Sequence, residues 1–374
     1  MEDLQSWLVL AHAPGLHAGQ IAEFLAQGHA PTALLSASPA TCAALGLGEQ
    51  AIRALRRPDL ARIEADVAWL AGGTRRQVVT WGAPDYPPLL ALIADPPLVL
   101  YVEGEAVTLS LPQLAIVGSR NPTALGRDTA RQFGSHLAQA GLAITSGLAL
   151  GIDAAAHWGA LDVGGKTVAV VGRGLDAIYP RDNAELARHI VERQGVLVTD
   201  LPVGTPPLKQ NFPRRNRILS GLTLGTLVVE AALQSGSLIT ARLAGEQGRE
   251  VFAMPGSIHN ALARGCHKLL RQGARLVETA DDIFGELAPI LGQIALSVAP
   301  TSTTRTESGG ASLDKDYEIL LDALGFEPAS LDSIVARSRL KADAVASMLL
   351  ILELDGRIQQ QTGGRYSRTL PGKV

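Results

Sequence analysis

The sequence predicts an α/β protein: an extended Rossmann-like parallel sheet, preceded by a helical segment and followed by a small winged helix. Over residues 114–287, short apolar runs alternate with amphipathic stretches, the pattern of strand–helix units that build a parallel sheet. Residues 4–73 carry Ala and Leu at helical spacing. At 374 residues the chain exceeds what one hydrophobic core usually organises, so we expect several domains.

Changes in composition predict four parts along the chain. They are a helical domain similar to SAM or helix-hairpin-helix modules at 1–75, the Rossmann-like domain at 76–290, a flexible linker at 291–313 and the winged helix at 314–374. In the first part, Pro14-Gly15 and Gly46-Leu47-Gly48 mark turns between short helices. A plain helical interaction module explains these turns as well as a DNA-contacting one, and we favour the plain module.

Charge and cysteine content narrow the class of protein. The formal net charge of −3 provides no global basic field, so any contact with nucleic acid must come from a local patch. Cys42 and Cys266 lie far apart, which favours a reduced intracellular context over a disulfide framework. The sequence begins without a secretory signal, and no apolar run approaches the roughly 20 residues of a membrane span. We therefore expect a cytoplasmic protein that does not bind membranes.

Seven apolar runs are candidate strands of the sheet. They are Leu114 to Val117, Leu142 to Thr145, Thr167 to Val171, Val196 to Thr199, Leu224 to Val229, Val251 to Met254 and Arg275 to Val277. Their nearly continuous hydrophobicity is typical of strands covered by helices on both faces. Before them, the proline-broken stretch from Val78 to Gly104 is interpreted as a linker with strands that enter this domain.

Gly118, Ser119 and Arg120 follow the first strand directly and precede an amphipathic helix. Glycine permits close backbone approach, a helix amino terminus offers free N–H groups, and arginine is a bidentate phosphate ligand. The three residues therefore indicate a phosphate-binding corner, although an ordinary tight turn explains them equally well.

Similar loops follow the next two strands. The second strand ends in a loop that holds Ser146, Gly147 and Gly151, and the third is followed by Arg173 and then Arg181. Ligands of open parallel sheets bind beyond the carboxyl ends of the strands, so we expect these loops to line one crevice.

The densest basic segment of the chain lies between the fourth and fifth of these strands. It contains Lys209, Phe212, Arg214, Arg215, Asn216 and Arg217, and no acid. Cationic side chains beside an aromatic ring are the combination that single-strand binders use, although a solvated loop also fits. Farther on, Ser235 and Ser237 open a helix and supply another anion site.

Glu230 is the one carboxylate that invites an enzymatic interpretation, because a buried acid near a phosphate loop can act on a glycosidic bond. No second catalytic partner is evident. Asp153 and His157 are more typical of a helix-capping acid and a packed histidine than of an acid–base pair. Cys266 and His267 lack zinc-ligand spacing. We therefore predict no catalytic residues, no metal and no cofactor.

Taken together, these motifs resemble the DprA (Smf) family of DNA-processing proteins. The resemblance spans Tyr86 to about Leu287 and rests on an ordered set: Tyr86-Pro87, Asp95-Pro96-Pro97, Val117-Gly118-Ser119-Arg120, Ser146 to Asp153, Gly174-Leu175-Asp176 with Tyr179-Pro180, Phe212 to Arg217, and Ser235 to Ala241. The helical segment and the winged helix fit the three-part layout of that family. One departure is the segment Gly265 to Lys268, where many relatives have a glycine-rich stretch that ends in Asn.

The resemblance implies a homodimer that binds and protects incoming single-stranded DNA and loads the recombinase RecA onto it during natural transformation. It assigns phosphate contacts to Arg120 and Arg181, with the segment from Phe212 to Arg217 beside them. The full set expected at DNA is Gly118, Ser119, Arg120, Ser146, Gly147, Gly151, Arg173, Arg181, Lys209, Phe212, Arg214, Arg215, Asn216, Arg217 and Ser237. The winged helix has eight basic and nine acidic residues, which favours a partner-binding or regulatory module at least as much as a DNA-binding one.

Two other classes remain open at the level of the sequence. A phosphoribohydrolase-like enzyme of the same Rossmann variant would use Gly225-Thr226 and Glu230, although the paired glycines usual before that Gly-Thr are absent. A pure interaction scaffold would have no salt-dependent affinity for DNA.

Overall fold

The structure is a computed structural model that divides into two compact units, Met1–Ala299 and Pro300–Val374. It describes residues 2–26, 28–298, 320, 323–324, 329–338, 340, 345, 349, 352, 358–361 and 365–368. Within these residues, no helix combines the length and the apolar character needed to cross a lipid bilayer.

Six short helices begin the first unit. They are α1 Glu2–His12, α2 Ala18–Ala26, α3 Pro31–Ser36, α4 Pro39–Ala44, α5 Glu49–Arg56 and α6 Leu60–Ala71. Their starts follow local rules: the Ser38 hydroxyl caps α4 by accepting from Thr41 N at 3.1 Å, and the Asp59 carboxylate caps α6. Both glycine-containing turns predicted from the sequence are present, with Gly15 and Gly46 at positive φ.

A nine-stranded sheet forms the centre of the unit. Its strands are β1 Arg76–Thr80, β2 Val99–Gly104, β3 Gln113–Val117, β4 Ala143–Ser146, β5 Thr167–Val170, β6 Val196–Thr199, β7 Gly225–Val228, β8 Glu250–Ala253 and β9 Arg275–Leu276. They lie in the order β1-β2-β6-β5-β4-β3-β7-β8-β9, and β3 to β9 run parallel. All seven predicted strands are confirmed, each within one residue at either end.

Helices cover both faces of the sheet. They are α7 Pro88–Ala91, α8 Ala124–Gln139, α9 Ile152–Asp162, α10 Ala184–Glu192, α11 Asn211–Gly221, α12 Gly236–Glu246, α13 Arg264–Arg271 and α14 Ala280–Val298, with short 3₁₀ helices at Ala106–Ser110, Arg181–Asn183 and Ala261–Ala263. Helices α8 and α9 pack closely, since a Cβ on Gly159 would collide with the Arg131 carbonyl oxygen.

The stretch interpreted as a linker with strands supplies β1 and β2, which extend the sheet antiparallel beyond β6. At the other end of the domain, residues 291–298 of the expected linker are helical, because α14 continues to Val298. The apolar spacing of the sequence persists through residues 291–298, and this explains the longer helix; residues 299–319 lie outside the described part.

The helical segment at 1–75 shares a core with the sheet. The Asp66 carboxylate of α6 is fully buried and accepts hydrogen bonds from the Tyr101 hydroxyl at 2.6 Å and from Val203 N at 2.9 Å. His12 Nε2 lies 2.7 Å from the same carboxylate. Three parts of the chain therefore meet at one buried acid, and the expected boundary at residue 75 does not separate two cores.

The second unit contains a three-stranded antiparallel sheet. Its described elements are β10 Ala329–Ser330, α15 Leu331–Ser338, β11 Ile358–Gln361 and β12 Arg365–Arg368, with β12 between β10 and β11. Leu324, Ile334 and Leu352 belong to its buried core. This arrangement is that of the predicted winged helix.

Candidate nucleic-acid interface

A crevice of about 400 Å³ opens at the carboxyl ends of the parallel strands. The chain passes from β3 to β4 on one side of the sheet and returns to the other side of β3 as β7, so the strand order reverses there. Open α/β sheets bind ligands at such a switch point. The loops after β3 and β4 and the helices α11 and α12 line the crevice, as the sequence predicted for the two loops.

The loop after β3 is held by backbone contacts. A Cβ on Gly118 would lie 2.6 Å from Ile152 Cγ1, so only glycine allows this close approach. Ser119 N donates to the Glu230 carbonyl at 2.7 Å, and the Ser237 hydroxyl donates to the Gly118 carbonyl at 2.8 Å. Ser237 and the Ser119 amide therefore shape the loop and are not free donors.

A buried carboxylate organises the loop after β4. Asp153 Oδ2 accepts from Gly147 N at 3.1 Å and from Ala149 N at 3.4 Å. Gly151 caps α9 at a φ of +82°, where a side chain is strained. The Ser146 hydroxyl points inward and donates to the Ile116 carbonyl at 2.7 Å, so it is placed away from any ligand.

Arg215 joins this loop to the sheet from inside the protein. It is 5% exposed, and its Nη1 donates to the Gly147 carbonyl at 2.6 Å and also to the Val170 carbonyl, while Nε donates to Asn216 Oδ1. Burial lowers the pKa of Arg215 to about 10 and raises that of Asp153; each group's charge partly opposes the shift of the other. Arg215 and Asn216 therefore form the wall of the crevice.

Arg120 lies exposed at the mouth of the crevice. Its guanidinium carbon is 5.5 Å from the centre of the Phe212 ring, within cation–π range, and the Tyr179 ring lies 6.0 Å from that of Phe212. Arg181, two residues after Tyr179, and Lys209 are exposed as well. Across the described residues, none of these three cations forms an ion pair.

Most of the basic segment forms a helix, which directs the arginines expected together at DNA to different sides. Residues 211–221 form α11, and Arg214 and Arg217 point away from the crevice toward Asp200, at 2.9 and 2.7 Å. Arg217 also lies 3.6 Å from Asp95. Together with the helical segment, these residues line a second cleft. The segment itself contains no acid, but the fold brings two acids to it from elsewhere in the sequence.

Two further predicted residues are engaged within the protein. Arg173 Nη2 lies 3.3 Å from Asp176 Oδ2, which neutralises its charge locally. The Glu230 carboxylate accepts from Thr123 N at 2.9 Å and from the Thr123 hydroxyl at 2.7 Å, and so holds the start of α8. Glu230 thus has a structural use that explains its burial.

The titratable groups near these loops have partners within the protein: Asp153 accepts from backbone N–H groups, and Glu230 accepts from Thr123. His157 is buried and its Nδ1 is 2.6 Å from Thr167 Oγ1, as expected of a packed histidine. Burial and, to a smaller extent, the positive charge of Arg215 lower the pKa of His157 to about 3. No cluster of three possible metal ligands occurs among the described residues, and Cys42 and Cys266 are both free and buried.

Sequence reasoning missed Asp200 and Tyr179 as parts of this region. Asp200 directly follows β6. Ligands of parallel sheets bind beyond the carboxyl ends of the strands, so this rule could have identified Asp200 as well. Tyr179 precedes a cis peptide bond to Pro180 and contributes an exposed ring. The Tyr179-Pro180 pair could have drawn attention to this ring, but the position of the ring beside Phe212 depends on the fold.

The fold and the crevice define a Rossmann-type protein with a cation and aromatic rings at its topological switch point. The chain belongs to the family described as DNA recombination-mediator protein A, whose model matches residues 77–288. A second model, the DprA winged helix domain, matches residues 304–364.

Relatives agree with this membership. The chain is 41% identical to Protein Smf of Escherichia coli over 373 residues, which covers 97% of this chain and 96% of the relative. An X-ray structure of DprA from Streptococcus pneumoniae matches with a TM-score of 0.65 at 34% identity, covering 75% of this chain and 97% of that one. A Helicobacter pylori DprA structure, whose description refers to a unique single-stranded DNA binding mode, matches with a TM-score of 0.52 at 29% identity over 57% of this chain and 97% of that one.

Proposed function

We propose that this protein binds single-stranded DNA in the crevice, with Arg120 as a phosphate ligand and Phe212 as a stacking surface. The observation that carries the proposal is the Arg120 guanidinium, exposed and without an acidic partner in the described part of the chain, held over an aromatic ring at the switch point. Single-strand binders combine cations that follow the backbone with rings that stack on bases. The description of the H. pylori relative agrees with this ligand.

The residues expected at DNA fall into three groups by their surroundings. We propose direct contact for Arg120 and Phe212, which line the crevice, and for the exposed cations Arg181 and Lys209. Gly118, Ser119, Ser146, Gly147, Gly151, Arg215, Asn216 and Ser237 shape the crevice and its loops. Arg173, Arg214 and Arg217 would contact a phosphate only in competition with Asp176 or Asp200.

Fluorescence anisotropy with labelled oligo-dT across a salt series tests this proposal. We expect the logarithm of the affinity to fall linearly with the logarithm of salt concentration. Arg120→Ala should weaken binding and reduce that slope by about 0.7, one single-strand phosphate contact. Arg193→Ala is the control, because it removes an exposed arginine just before β6, at the opposite edge of the sheet. It should leave the DNA affinity and the salt slope unchanged. No binding at low salt would overturn the proposal.

A role as a recombination mediator extends the same proposal. We infer that the protein acts as a homodimer, protects incoming DNA and loads RecA onto it. Family membership supports this inference. ATP hydrolysis by RecA on DNA covered with single-strand-binding protein should rise when the wild type is added, but not with Arg120→Ala. Light scattering after size exclusion should give twice the chain mass; a monomer at working concentration contradicts the dimer.

We also propose that the crevice binds without turnover. Glu230 is the carboxylate that a phosphoribohydrolase-like mechanism would need, and Thr123 occupies both of its oxygens. Incubation with nucleoside monophosphates should therefore release no free base.

A further inference from the structure

We propose that a bound single strand leaves the crevice along a second groove between α8 and α9, where Trp158 stacks on a base and Arg127 contacts a phosphate. This inference rests on the proposed function, since it extends the path of the same ligand. The groove, called here the outer groove, has a volume of about 440 Å³ and includes Arg120, Arg127, Leu150 and Trp158 in its lining.

The outer groove and the crevice share Arg120 in their lining. Gly151 lines the outer groove beside it, and a Cβ there would be 2.6 Å from the Arg120 carbonyl oxygen. The two spaces therefore adjoin at one long cationic side chain. A strand whose phosphate is held by Arg120 has open space in both directions.

The floor of the outer groove ends at an aromatic ring. On α9 it is lined by Gly151, Ala154, Ala155 and Trp158, residues at i, i+3, i+4 and i+7 that share one helical face. The first three are too small to obstruct a flat ligand. Trp158 is partly exposed, and the His189 ring at 5.4 Å supports its edge in a T-shaped contact. Such a ring offers a face to a base.

The unpaired charges of the outer groove are slightly more positive than negative, which favours an anionic ligand. Arg131 is paired with Asp162 at 2.6 Å and is thereby neutralised. Arg127 is exposed on the first turns of α8 and forms no ion pair with any residue that the structure describes. Asp128 is the acid in the lining, so Arg120 and Arg127 together exceed it by one positive charge. Asp128 should oppose a bound phosphate.

Binding of oligo-dT of two lengths, about 4 and about 16 nucleotides, tests this path because these lengths span the site sizes of common single-strand binding folds. We expect Trp158→Ala to weaken the long oligonucleotide about tenfold, with a smaller loss for the short one. Trp158→Phe retains a ring and should restore most of the affinity. Arg127→Ala should reduce the salt slope of the long oligonucleotide by about 0.7, and Asp128→Asn should tighten its binding.

A spectroscopic signature separates stacking from a purely structural role. Long oligo-dT should quench part of the tryptophan fluorescence of the wild type. The Trp158→Phe variant should still bind the oligonucleotide but should lose this quenching. Arg193→Ala serves as the charge control, and a thermal melt verifies that each variant is folded. If the wild type binds no oligonucleotide, the proposed function itself fails. If Arg120→Ala weakens binding while Trp158→Ala and Arg127→Ala behave like the wild type at both lengths, only the outer groove is wrong.

Discussion

Two arginines that line the crevice, Arg120 and Arg215, have opposite uses, and burial decides which. Arg120 is exposed over Phe212 and keeps its donors for a ligand, whereas Arg215 is 5% exposed and donates to two carbonyls of the sheet edge. A buried arginine is tolerated when its donors are satisfied and an acid balances its charge, and Asp153 balances it here. The local sequence contains neither the carbonyls nor the acid.

Replacement of Arg215 should therefore lower stability, while replacement of Arg120 should lower DNA affinity. Arg215→Met keeps the apolar volume but removes the donors to the buried Gly147 and Val170 carbonyls, which should reduce the free energy of unfolding by about 1–3 kcal/mol. Urea denaturation followed by circular dichroism measures the change, with exposed Arg120→Ala as the matched control. Equal urea midpoints for Arg215→Met and the wild type would contradict the assigned role.

Glu230 should likewise act on stability. Glu230→Gln keeps one carbonyl acceptor but replaces the other with an NH₂ group that faces Thr123, so we expect a loss of about 1–3 kcal/mol. Thermal denaturation measures that loss. A base-releasing activity that is present in the wild type and absent from a fully stable Glu230→Gln would instead return Glu230 to an enzymatic role.

At the scale of elements, the geometry of a helix decides which of its side chains face the crevice and which face the second cleft. On α11, Phe212 and Asn216 face the crevice, while Arg214 and Arg217 face the second cleft, because residues three and four apart share a helical face. The start of α9 is equally constrained: Gly151 lies against the carbonyl oxygens of the loop that carries Arg120. The position of Arg120 therefore depends on a junction of two elements.

Gly151→Ala should displace this junction and weaken DNA binding. The new methyl group would collide with the Ser119 carbonyl oxygen, and the positive φ adds strain. Gly164→Ala is the control, since Gly164 has a φ of +70° but no heavy atom within 4 Å of the place that its new methyl group would take. Gly164→Ala should lose about 1–2 kcal/mol of stability from the positive φ, and Gly151→Ala should lose more because of the collision and its ψ of −121°. Anisotropy should show a loss of DNA affinity only for Gly151→Ala. If Gly151→Ala and Gly164→Ala bind DNA equally well, the position of Arg120 does not depend on this junction.

At the scale of the whole first unit, a buried histidine couples folding to pH. His157 lies on α9 and contacts Thr167 of β5. Its pKa falls from about 6.5 in an unfolded chain to about 3 in the fold, mainly because burial disfavours the cation. Its neutral form therefore stabilises the fold fully above about pH 6.5. That contribution is lost as pH falls from there toward about 3, since the unfolded chain takes up the proton first.

We expect the free energy of unfolding to decrease by up to about 1.4 kcal/mol per pH unit in this window through His157 alone. Urea midpoints measured between about pH 7 and pH 4 test this, with His157→Asn as the variant that keeps a donor toward Thr167 and cannot titrate. The urea midpoint of His157→Asn should fall less steeply with decreasing pH than that of the wild type. Parallel curves for the two proteins would mean that other groups govern acid sensitivity.

The sequence by itself determined the architecture and the location of the site. Apolar runs of strand length predicted β3 to β9 within a residue, because strands covered on both faces must be continuously apolar, and parallel strands bring their loops to one edge. Only the tertiary structure decided which cations are free. Asp200 and Asp95 reach Arg214 and Arg217 from other parts of the chain, and the backbone carbonyls of Gly147 and Val170 engage Arg215. Arg120 stays available because the fold brings a ring, and not an acid, to its side.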